Sequence, residues 1–482
     1  MGKNFIVEKY ELDDNQMKLL INDSNFLVIA GAGSGKTLTI LGKVNYLIEQ
    51  QNILPENILL ISFTNASVND LKKRVKYNVN IYTFHKLAMH ILGKNNVNYT
   101  ICNSNLLSFI IFEYLYTCSK VEQKQILNFL KINTNYSNFL FSHCFKNFCK
   151  LIETFINLYK TNNYNFDKLS KIKYSKTEKD ILLIIFKIYK KYIDEKNSTN
   201  SLDFDDLILY ATQYANKTKL NYKYIIIDEF QDSSFIRLNL IKAIIHNENA
   251  KIIVVGDDWQ SIYQFSGCDL NLFLNFSTHF SNVEILKLKN TYRNSQELIQ
   301  IASDFVQKNQ NQIKKKLISQ KHNVMPIIFV PYIDKKAKLK STLNNILKET
   351  DDILILSRNN QDIYNYIDKD MKLENNILHY NNHKLKCMTI HKSKGLEAKY
   401  TIILNCNDDI LGFPNKIKNN HITEKLFSHE TMPFAEERRL FYVALTRCKE
   451  STYILYNKKN PSKFVKELKK IVKKNLKKLK YF

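Results

Sequence analysis

One short segment, residues 26–37, constrains the fold of this chain more than any other feature. It reads Phe-Leu-Val-Ile-Ala-Gly-Ala-Gly-Ser-Gly-Lys-Thr, an apolar strand that runs into a glycine loop, and a helical stretch follows over residues 38–50. The loop fits the pattern G-x-x-x-x-G-K-[ST] except that Ala30 stands in the place of the first glycine. A strand, a glycine loop and a helix in this order predict an α/β fold that binds phosphates at the N-terminus of the helix.

The residue types of the loop suit a nucleoside triphosphate with Mg²⁺. Small residues at positions 31–35 are needed because larger side chains would block the phosphates. Lys36 neutralises the β and γ oxygens, and the Thr37 hydroxyl binds Mg²⁺. The loop residues predicted to contact the nucleotide are Ala32, Gly33, Ser34, Gly35, Lys36 and Thr37.

Further apolar, β-branched runs predict the remaining strands of a parallel sheet. They cover residues 58–63, 224–228 and 251–256, and each ends in polar or charged residues. A second strand-rich region starts near residue 291, with candidates at 327–330, 353–356, 388–390, 400–404 and 452–456. This region has no second glycine loop with Lys-Thr, so we expect one nucleotide site per chain.

Few helix breakers occur between the two halves of the first α/β region. No glycine lies between Gly93 and Gly256 and no proline between Pro55 and Pro326, so residues 86–200 are predicted to be a helical insertion. The expected domains are 1–85 with 201–290, the insertion 86–200, a second α/β domain over 291–457, and a basic amphipathic helix over 458–482.

Two adjacent carboxylates follow the strand predicted over residues 224–228. Asp228 at the strand end suits Mg²⁺ coordination, while Glu229 suits the orientation and deprotonation of an attacking water. Phosphoryl transfer also needs a planar cation on the γ-phosphate, and Arg293 and Arg447 are the candidates. Both belong to the second α/β region, so hydrolysis would require the two domains to close.

The charge balance favours an anionic partner. The 482 residues include 71 basic and 46 acidic ones, a net charge of +25, although the abundance of Lys, Asn and Ile also fits an AT-rich coding sequence. The eight cysteines form no Cys-x-x-Cys pair and no zinc spacing, which is typical of a reducing cytosol. No apolar run reaches the ~18 residues of a membrane span. We therefore expect a cytoplasmic protein with no membrane association.

The motifs, in their order, resemble the superfamily 1A helicases of the UvrD/Rep type, and Trp259 resembles the helicase IV branch. The matching segments are 12–16 (Q motif), 30–37 (this family's P-loop variant), 62–66 with Arg74 (motif Ia), 83–85 (motif Ib), 202–207, 228–232 (motif II), 255–267 (motif III), 292–293 (motif IV), 389–397 (motif V) and 437–447 (motif VI). The resemblance implies two RecA-like P-loop NTPase domains with parallel sheets.

The resemblance also implies a role for each matching residue. Gln16 would read adenine with Tyr292 stacked on it, and Glu397 would contact the ribose. Gln260 would sense the γ-phosphate, and Arg293 with Arg447 would act as arginine fingers. Single-stranded DNA would cross both domains, in contact with Phe63, Thr64, His85, Tyr263, Phe265 and His391. Direct contact of Trp259 with DNA stays open, as does core packing of Tyr263 and Phe265.

The implied activity is that of an ATP-hydrolysing DNA helicase and translocase that moves 3′ to 5′ on single-stranded and 3′-tailed duplex DNA. Two departures from the family pattern are expected. Only about thirty residues separate Arg358 from His391, so the 2B domain is predicted to be a stub near 359–387, and the N-terminal extension of helicase IV is expected to be missing. These departures leave an alternative open: a DNA-stimulated ATPase subunit that regulates a separate nuclease, as in Gabija-type phage defence.

The C-terminal segment from Asn457 carries eleven lysines and one glutamate, with apolar residues at helical spacing. Contact with nucleic acid or anionic lipid is one interpretation. The other is a solvated amphipathic helix docked on the second domain, which we favour.

Overall fold

The computed structural model describes residues 5–417, 420–427 and 430–479. Residues 1–4, 418–419, 428–429 and 480–482 of the predicted domains lie outside the described residues. Across this part of the chain, two α/β regions flank a helical one, and the first α/β region continues after the helices.

The first α/β region begins with a hairpin, a helix and three alternations of strand and helix. Its elements are β1 (Ile6–Val7), β2 (Tyr10–Glu11), α1 (Asp14–Ile21), β3 (Asn25–Ile29), α2 (Lys36–Glu49), β4 (Ile58–Ile61), α3 (Asn65–Arg74), β5 (Asn80–Tyr82) and α4 (Phe84–Lys94). Asp13 starts α1 with a capping box, in which its side chain accepts from Gln16 N and the Gln16 side chain accepts from Asp13 N.

A helical region follows. Its elements are β6 (Thr100–Ile101), α5 (Leu106–Thr117), α6 (Lys120–Leu130), α7 (Tyr136–Leu140), α8 (His143–Thr161), α9 (Phe166–Ser170), α10 (Lys176–Ser198) and β7 (Ser201–Leu202). These helices share one apolar core, as the breaker-free sequence predicted. Buried Lys160 and Lys196 bind the carboxylates of Asp203 and Asp206, which fixes α8 and α10 to the start of the next helix.

The first α/β region then resumes and completes its sheet. The elements are α11 (Phe204–Ala215), β8 (Tyr224–Ile227), α12 (Phe235–Glu248), β9 (Lys251–Gly256), α13 (Asn271–Leu274) and β10 (Val283–Lys287). The six strands are all parallel, in the order β10-β3-β9-β8-β4-β5. Apolar cores lie on both faces of this sheet, which explains why β4 and β8 are uninterrupted apolar runs.

The second α/β region comprises α14 (Gln296–Val306), β11 (Ile327–Tyr332), α15 (Lys335–Ile346), β12 (Ile353–Ser357), α16 (Asn360–Tyr364), β13 (Lys372–Glu374), β14 (Ile377–Tyr380), β15 (His383–Thr389), β16 (Ala398–Ile403), α17 (His421–Glu424), α18 (Ala435–Leu445), β17 (Cys448–Asn457) and α19 (Lys463–Leu479). Its sheet has the order β11-β17-β16-β12-β15-β14-β13. The first five strands are parallel, and β13 and β14 are antiparallel additions.

The two sheets have the same winding. The order β3-β9-β8-β4-β5 in the first matches β11-β17-β16-β12-β15 in the second, strand for strand along the chain. Each apolar run predicted as a strand overlaps an observed strand, although residues 62–63, 228, 390 and 404 lie just past the strand ends. The hairpin β13–β14 and residues 383–387 of β15 were not predicted, and together with α16 they occupy the segment expected to be a stub.

The C-terminal helix α19 is docked by its apolar face. Phe464 and Leu468 are buried in the core of the second region, and Arg438 pairs with Glu467 at 2.5 Å. This packing agrees with the docked interpretation of the basic tail. Among the described helices, none has the length and apolar character to cross a membrane.

Candidate functional site

The glycine loop lies between the end of β3 and the start of α2. Gly33 and Gly35 adopt left-handed φ angles of 70° and 75°, and Gly35 starts α2 with no side-chain cap. The first backbone N–H groups of α2 therefore keep their hydrogen-bonding capacity for a ligand. A Cβ at Gly33 would lie 2.6 Å from Arg293 Cβ, so glycine is required here by the close approach of the second region as well as by φ.

The loop fits a bound triphosphate with Mg²⁺. The Ser34 hydroxyl is buried and has no hydrogen-bond partner within the described residues, as expected of a group that a phosphate oxygen would satisfy. Thr37 is half-buried on the first turn of α2. The described residues contain no group of three or more His, Cys, Asp and Glu that could hold a metal. Mg²⁺ in nucleotide sites commonly binds the phosphates and one or two protein oxygens. Thr37 and Asp228 can provide these protein oxygens.

Glu229 lies opposite Lys36. Lys36 Nζ is 2.6 Å from Glu229 Oε1, and Gln231 Nε2 donates to Glu229 Oε2 at 2.5 Å. Burial opposes the ionisation of Glu229, but the charges of Lys36 and Lys394 outweigh it and hold the pKa of Glu229 below its usual range. Glu229 is therefore an ionised proton acceptor at neutral pH.

The neighbouring Asp228 has the opposite shift. Its carboxyl is buried and accepts a hydrogen bond from Glu229 N at 2.9 Å. Burial and then the charge of Glu229 raise the pKa of Asp228 to about 6. A cation bound between the carboxylate and a phosphate would favour its ionised form.

The two candidate arginines reach this site from the second region. Arg447 is buried, and its Nη2 donates to Gln260 Oε1 at 2.9 Å. Gln260 Nε2 in turn donates to Asp257 Oδ2 at 2.6 Å. Burial and the charge of Arg293 lower the pKa of Arg447 to about 9, which a nearby phosphate would offset.

Arg293 is held by a carboxylate. Its Nε donates to Glu397 Oε2 at 2.7 Å, and its Nη1 donates to Thr446 O at 3.4 Å. In this structure the partner of Arg293 is therefore Glu397, for which the resemblance implied a ribose contact. Its side chain is 40% exposed, so part of the carboxylate stays accessible to a ligand.

Gln16 and Tyr292 lie together beside Gly35. A Cβ at Gly35 would be 3.0 Å from Gln16 Nε2 and 3.6 Å from the Tyr292 ring. Gln16 Nε2 donates to Thr39 Oγ1 at 2.9 Å, which leaves one amide hydrogen for another acceptor. Tyr292 is 48% exposed and donates to Asp13 Oδ2. The pair has the position and the free groups that a base would need.

Two lysines of the site, of which Lys315 is buried and Lys394 nearly so, were not predicted from the sequence. Lys394 pairs with Asp232, donates to Gln260 O at 2.9 Å and lies 3.6 Å from Glu229 Oε2. The sequence could have indicated Lys394, because this residue lies within the segment matched to motif V. Lys315 pairs with Asp257 and Asp258 and donates to Ala30 O.

The predicted DNA-contacting residues form two groups. Phe63 and Thr64 follow β4, and His85 lies on the first turn of α4 with its ring 5.2 Å from Phe204. Burial and the charge of Arg237 lower the pKa of His85 to about 4.

The second group joins the two α/β regions. Tyr263, Phe265 and His391 have ring centroids 5.6–6.1 Å apart, and Tyr263 donates to His391 O at 2.9 Å. Phe265 is 56% exposed, whereas Tyr263 is half-buried. Core packing therefore does not account for Phe265, and part of Tyr263 is used for packing.

Trp259 faces the interior. Its ring is fully buried at 5.4 Å from Tyr442, and its Nε1 donates to Ile313 O at 3.1 Å. Lys315 Nζ lies 4.3 Å from the ring centroid. These contacts leave no face of the indole for DNA, which answers the question left open by the sequence.

The sequence models of known families agree with this architecture. The UvrD/REP helicase N-terminal domain matches residues 12–281, and the UvrD-like helicase C-terminal domain matches residues 365–459. The chain belongs to the UvrD/Rep helicase family. This confirms the family resemblance and the fold class of two RecA-like α/β units.

Individual relatives give the same assignment. DNA helicase IV of Escherichia coli (strain K12) is 29% identical over 96% of this chain and 71% of its own length. A probable DNA helicase II homolog of Mycoplasma capricolum is 30% identical over 72% of this chain. An ATP-dependent DNA helicase Rep of Buchnera aphidicola (subsp. Schizaphis graminum) is 31% identical over 61% of this chain. The chain spans only 49% and 44% of the latter two relatives.

Proposed function

We propose that this chain is an ATP-dependent DNA helicase and translocase that moves 3′ to 5′ along single-stranded DNA. The observation that carries the proposal is the meeting of the two α/β regions at one site. Arg447 of the second region contacts Gln260, and Lys394 of the second region lies 3.6 Å from Glu229 of the first. A site built from both regions can couple hydrolysis to a change in how the regions pack, which is what a motor needs.

In this proposal, Glu229 accepts the proton of the water that attacks the γ-phosphorus, and the bond to the β-γ bridging oxygen breaks to release ADP. Arg293 and Arg447 stabilise the charge that develops on the γ-phosphoryl oxygens. Thr37 and Asp228 would hold Mg²⁺, which would supply positive charge to the phosphates. Gln260 senses the γ-phosphate through its contact with Arg447.

Lys36 has two competing partners. Its ammonium pairs with Glu229 at 2.6 Å, and the same ammonium is placed by the loop to bind the β and γ oxygens. We propose that the triphosphate takes Lys36 away from Glu229, which frees the carboxylate to contact water. Gln16 and Tyr292 hold the adenine, and Glu397 holds the ribose in addition to Arg293.

The proposed domains keep the boundaries expected from the sequence, namely 1–85 with 201–290, 86–200, 291–457 with a stub near 359–387, and 458–482. DNA crosses the first and second regions over Phe63, Thr64, His85, Tyr263, Phe265 and His391, where aromatic faces stack bases without reading sequence. Suitable substrates are single-stranded DNA and 3′-tailed duplexes, and we propose a cytoplasmic location.

A second candidate function is supported by the segment between Arg358 and His391. It holds only α16, the hairpin β13–β14 and β15, all packed on the second sheet. Without a larger insertion, the motor has few elements for engaging a duplex. A DNA-stimulated ATPase subunit that controls a separate nuclease is therefore the alternative.

Strand displacement on 3′-tailed and 5′-tailed DNA and RNA duplexes tests the proposal. We expect ATP-dependent unwinding of the 3′-tailed DNA duplex, with single-stranded DNA raising the ATPase rate and Lys36→Ala abolishing both. An ATPase rate that single-stranded DNA leaves unchanged would contradict the motor proposal. A stimulated ATPase with no unwinding of any duplex would favour the nuclease-associated alternative.

A further inference from the structure

Arg237, on the first turn of α12, connects the acidic site to the proposed DNA contacts. Its Nη1 donates to Asp232 O at 3.1 Å. Asp232 ends the 3-10 turn that follows Glu229, and Asp232 N donates to Glu229 O at 3.0 Å. One end of the guanidinium is therefore two hydrogen bonds away from the backbone of Glu229, the proposed general base.

The other side of the guanidinium packs on aromatic rings. Its central carbon lies 5.1 Å from the Phe63 ring centroid and 5.8 Å from that of Phe84. The two rings meet edge to face at 5.5 Å. A planar guanidinium suits such stacking better than an ammonium does. Phe63 therefore cannot change position without changing the packing of Arg237.

One donor of Arg237 is unsatisfied in this arrangement. Its Nε is buried and has no hydrogen-bond partner among the residues that the structure describes. A buried donor without an acceptor is unfavourable, and a shift of the side chain that pairs Nε would lower this cost. The unpaired Nε therefore favours movement of Arg237 when its aromatic neighbours move.

We infer that Arg237 is a positioning residue that couples DNA stacked on Phe63 to the segment carrying Glu229. This inference rests on the proposed function and extends it from the two sites to the link between them. A base that stacks on Phe63 shifts the ring, Arg237 moves with it, and the Asp232 carbonyl transmits the shift to the turn after Glu229. Among the described residues, the hydrogen bond and ring contacts of Arg237 are with Asp232, Phe63 and Phe84, and not with the glycine loop or the predicted finger arginines.

Thermodynamic linkage provides a readout that a purely structural role would not change. If the sites are coupled, the non-hydrolysable ATP analogue AMP-PNP with Mg²⁺ changes the Kd for DNA by a factor that equals the change DNA causes in the Kd for the analogue. The factor is measured on the full chain by fluorescence anisotropy of labelled oligo-dT with and without AMP-PNP. Coupling factors of about 5 to 150 are typical, so a several-fold loss of coupling can be measured.

The test uses Arg237→Gln and Arg237→Lys, each checked by thermal melting. We expect Arg237→Gln to reduce the coupling factor at least fivefold. Arg237→Lys keeps a donor for the Asp232 carbonyl but not the planar stack, and we expect it to restore part of the factor. Lys76→Gln is the control, because it removes an exposed cation of the same region that pairs with Glu49 at the surface. The control should retain the wild-type factor.

The outcomes separate the inference from the proposed function. A coupled wild type with an equally coupled, folded Arg237→Gln variant overturns the role of Arg237 alone. If Arg237→Gln does not fold, an Arg237→Lys variant with the full wild-type factor overturns it. A wild type whose ATPase rate and AMP-PNP affinity do not respond to oligo-dT overturns the proposed function, and the coupling role with it.

Discussion

The two sheets share a winding but end in different chemistry. Strands β3 and β11 hold the same place in the two strand orders, and each leads into a helix. After β3, α2 begins at Gly35 with no side-chain cap. After β11, Asp334 caps α15, and its carboxylate accepts from Lys336 N at 2.9 Å and Ala337 N at 3.2 Å. At the start of α15, the Asp334 carboxylate therefore occupies the position that α2 leaves open for a phosphate.

The strands that follow repeat this contrast. Glu229 after β8 and Asn405 after β16 have nearly the same left-handed φ, 54° and 55°. The first offers a carboxylate to the site, while the amide of Asn405 donates to Asp362 at 2.7 Å within its own region. The same backbone path therefore presents a carboxylate to the site in one sheet and makes a packing contact in the other.

The two sheets supply different parts of the same site. The first sheet supplies the anion cradle and the acids, and the second supplies cations to that same site through Arg293, Lys394 and Arg447. Phosphate binding by the uncapped helix follows from local geometry. Contributions of the second sheet depend on how the two regions pack.

The largest expected effect concerns Glu229, whose place in the second sheet is taken by Asn405. Glu229→Gln should lower the ssDNA-stimulated ATPase rate by about 10³-fold, within the range for loss of a general base, and leave ATP binding intact. Steady-state phosphate release and binding of a fluorescent ATP analogue measure the two effects. Glu284→Gln, an exposed acid at the edge of the same sheet, is the control and should keep the wild-type rate. A Glu229→Gln variant with a near-normal rate would remove Glu229 from the reaction.

A paired substitution at the starts of α2 and α15 tests the contrast itself. Gly33→Ala places a Cβ 2.6 Å from Arg293 Cβ and imposes a side chain at φ 70°, so the ATPase rate should fall about 10²-fold through misplaced groups. Asp334→Ala should instead cost about 1 kcal/mol of unfolding free energy, with the ATPase rate unchanged. If Asp334→Ala lowers the ATPase rate and Gly33→Ala does not, the phosphate site is not at the start of α2.

DNA stacking should depend on the exposed ring of the group that joins the two regions. Phe265→Ala should weaken oligo-dT binding by about 5- to 150-fold, the equivalent of the ~1–3 kcal/mol per stacked base. Phe141→Ala removes an 85% exposed ring from the helical region and should leave the affinity unchanged. Equal affinities for the two variants would argue against this DNA path.

The smallest expected effect is on stability against pH. Burial, then the charges of Arg358 and Lys394, lower the pKa of His391 to about 4, below its ordinary 6.5. The unfolded chain thus binds this proton more readily, and the free energy of unfolding should fall as pH drops from about 6.5 to 4. His391→Gln should make that decline shallower in denaturant titrations, whereas His421→Gln, an 85% exposed site, should not. A decline that is equally steep in all three proteins would contradict the buried, neutral state of His391.

Local patterns allowed most of the fold and the loop half of the site to be predicted. Strands such as β4 and β8 are continuous apolar runs because the sheet is covered on both faces. The glycine loop is recognisable since its chemistry lies within eight residues. The end of β3 and the carboxylates at 228–229 could be predicted in the same way, because each is marked by the end of an apolar run.

Contacts between distant segments were not predictable in this way. Lys315 lies in a run of three lysines that looks like a solvated surface, yet it is buried against Asp257, Asp258 and the Trp259 ring. Glu397 binds Arg293 although 104 residues separate them. Such pairings depend on how the second region packs on the first, which no local pattern records. The lysine-rich background of this chain hides them further.

In the proposed mechanism, cations of the second sheet complete the phosphate site of the first. The most direct test compares wild type and Arg447→Lys in ssDNA-stimulated ATP hydrolysis, with ATP affinity measured in parallel. We expect kcat to fall at least about 10²-fold with little change in ATP affinity, because a planar guanidinium is lost from the transition state while ground-state contacts persist. An unchanged kcat in a folded Arg447→Lys variant would contradict the contribution of the second sheet to the site.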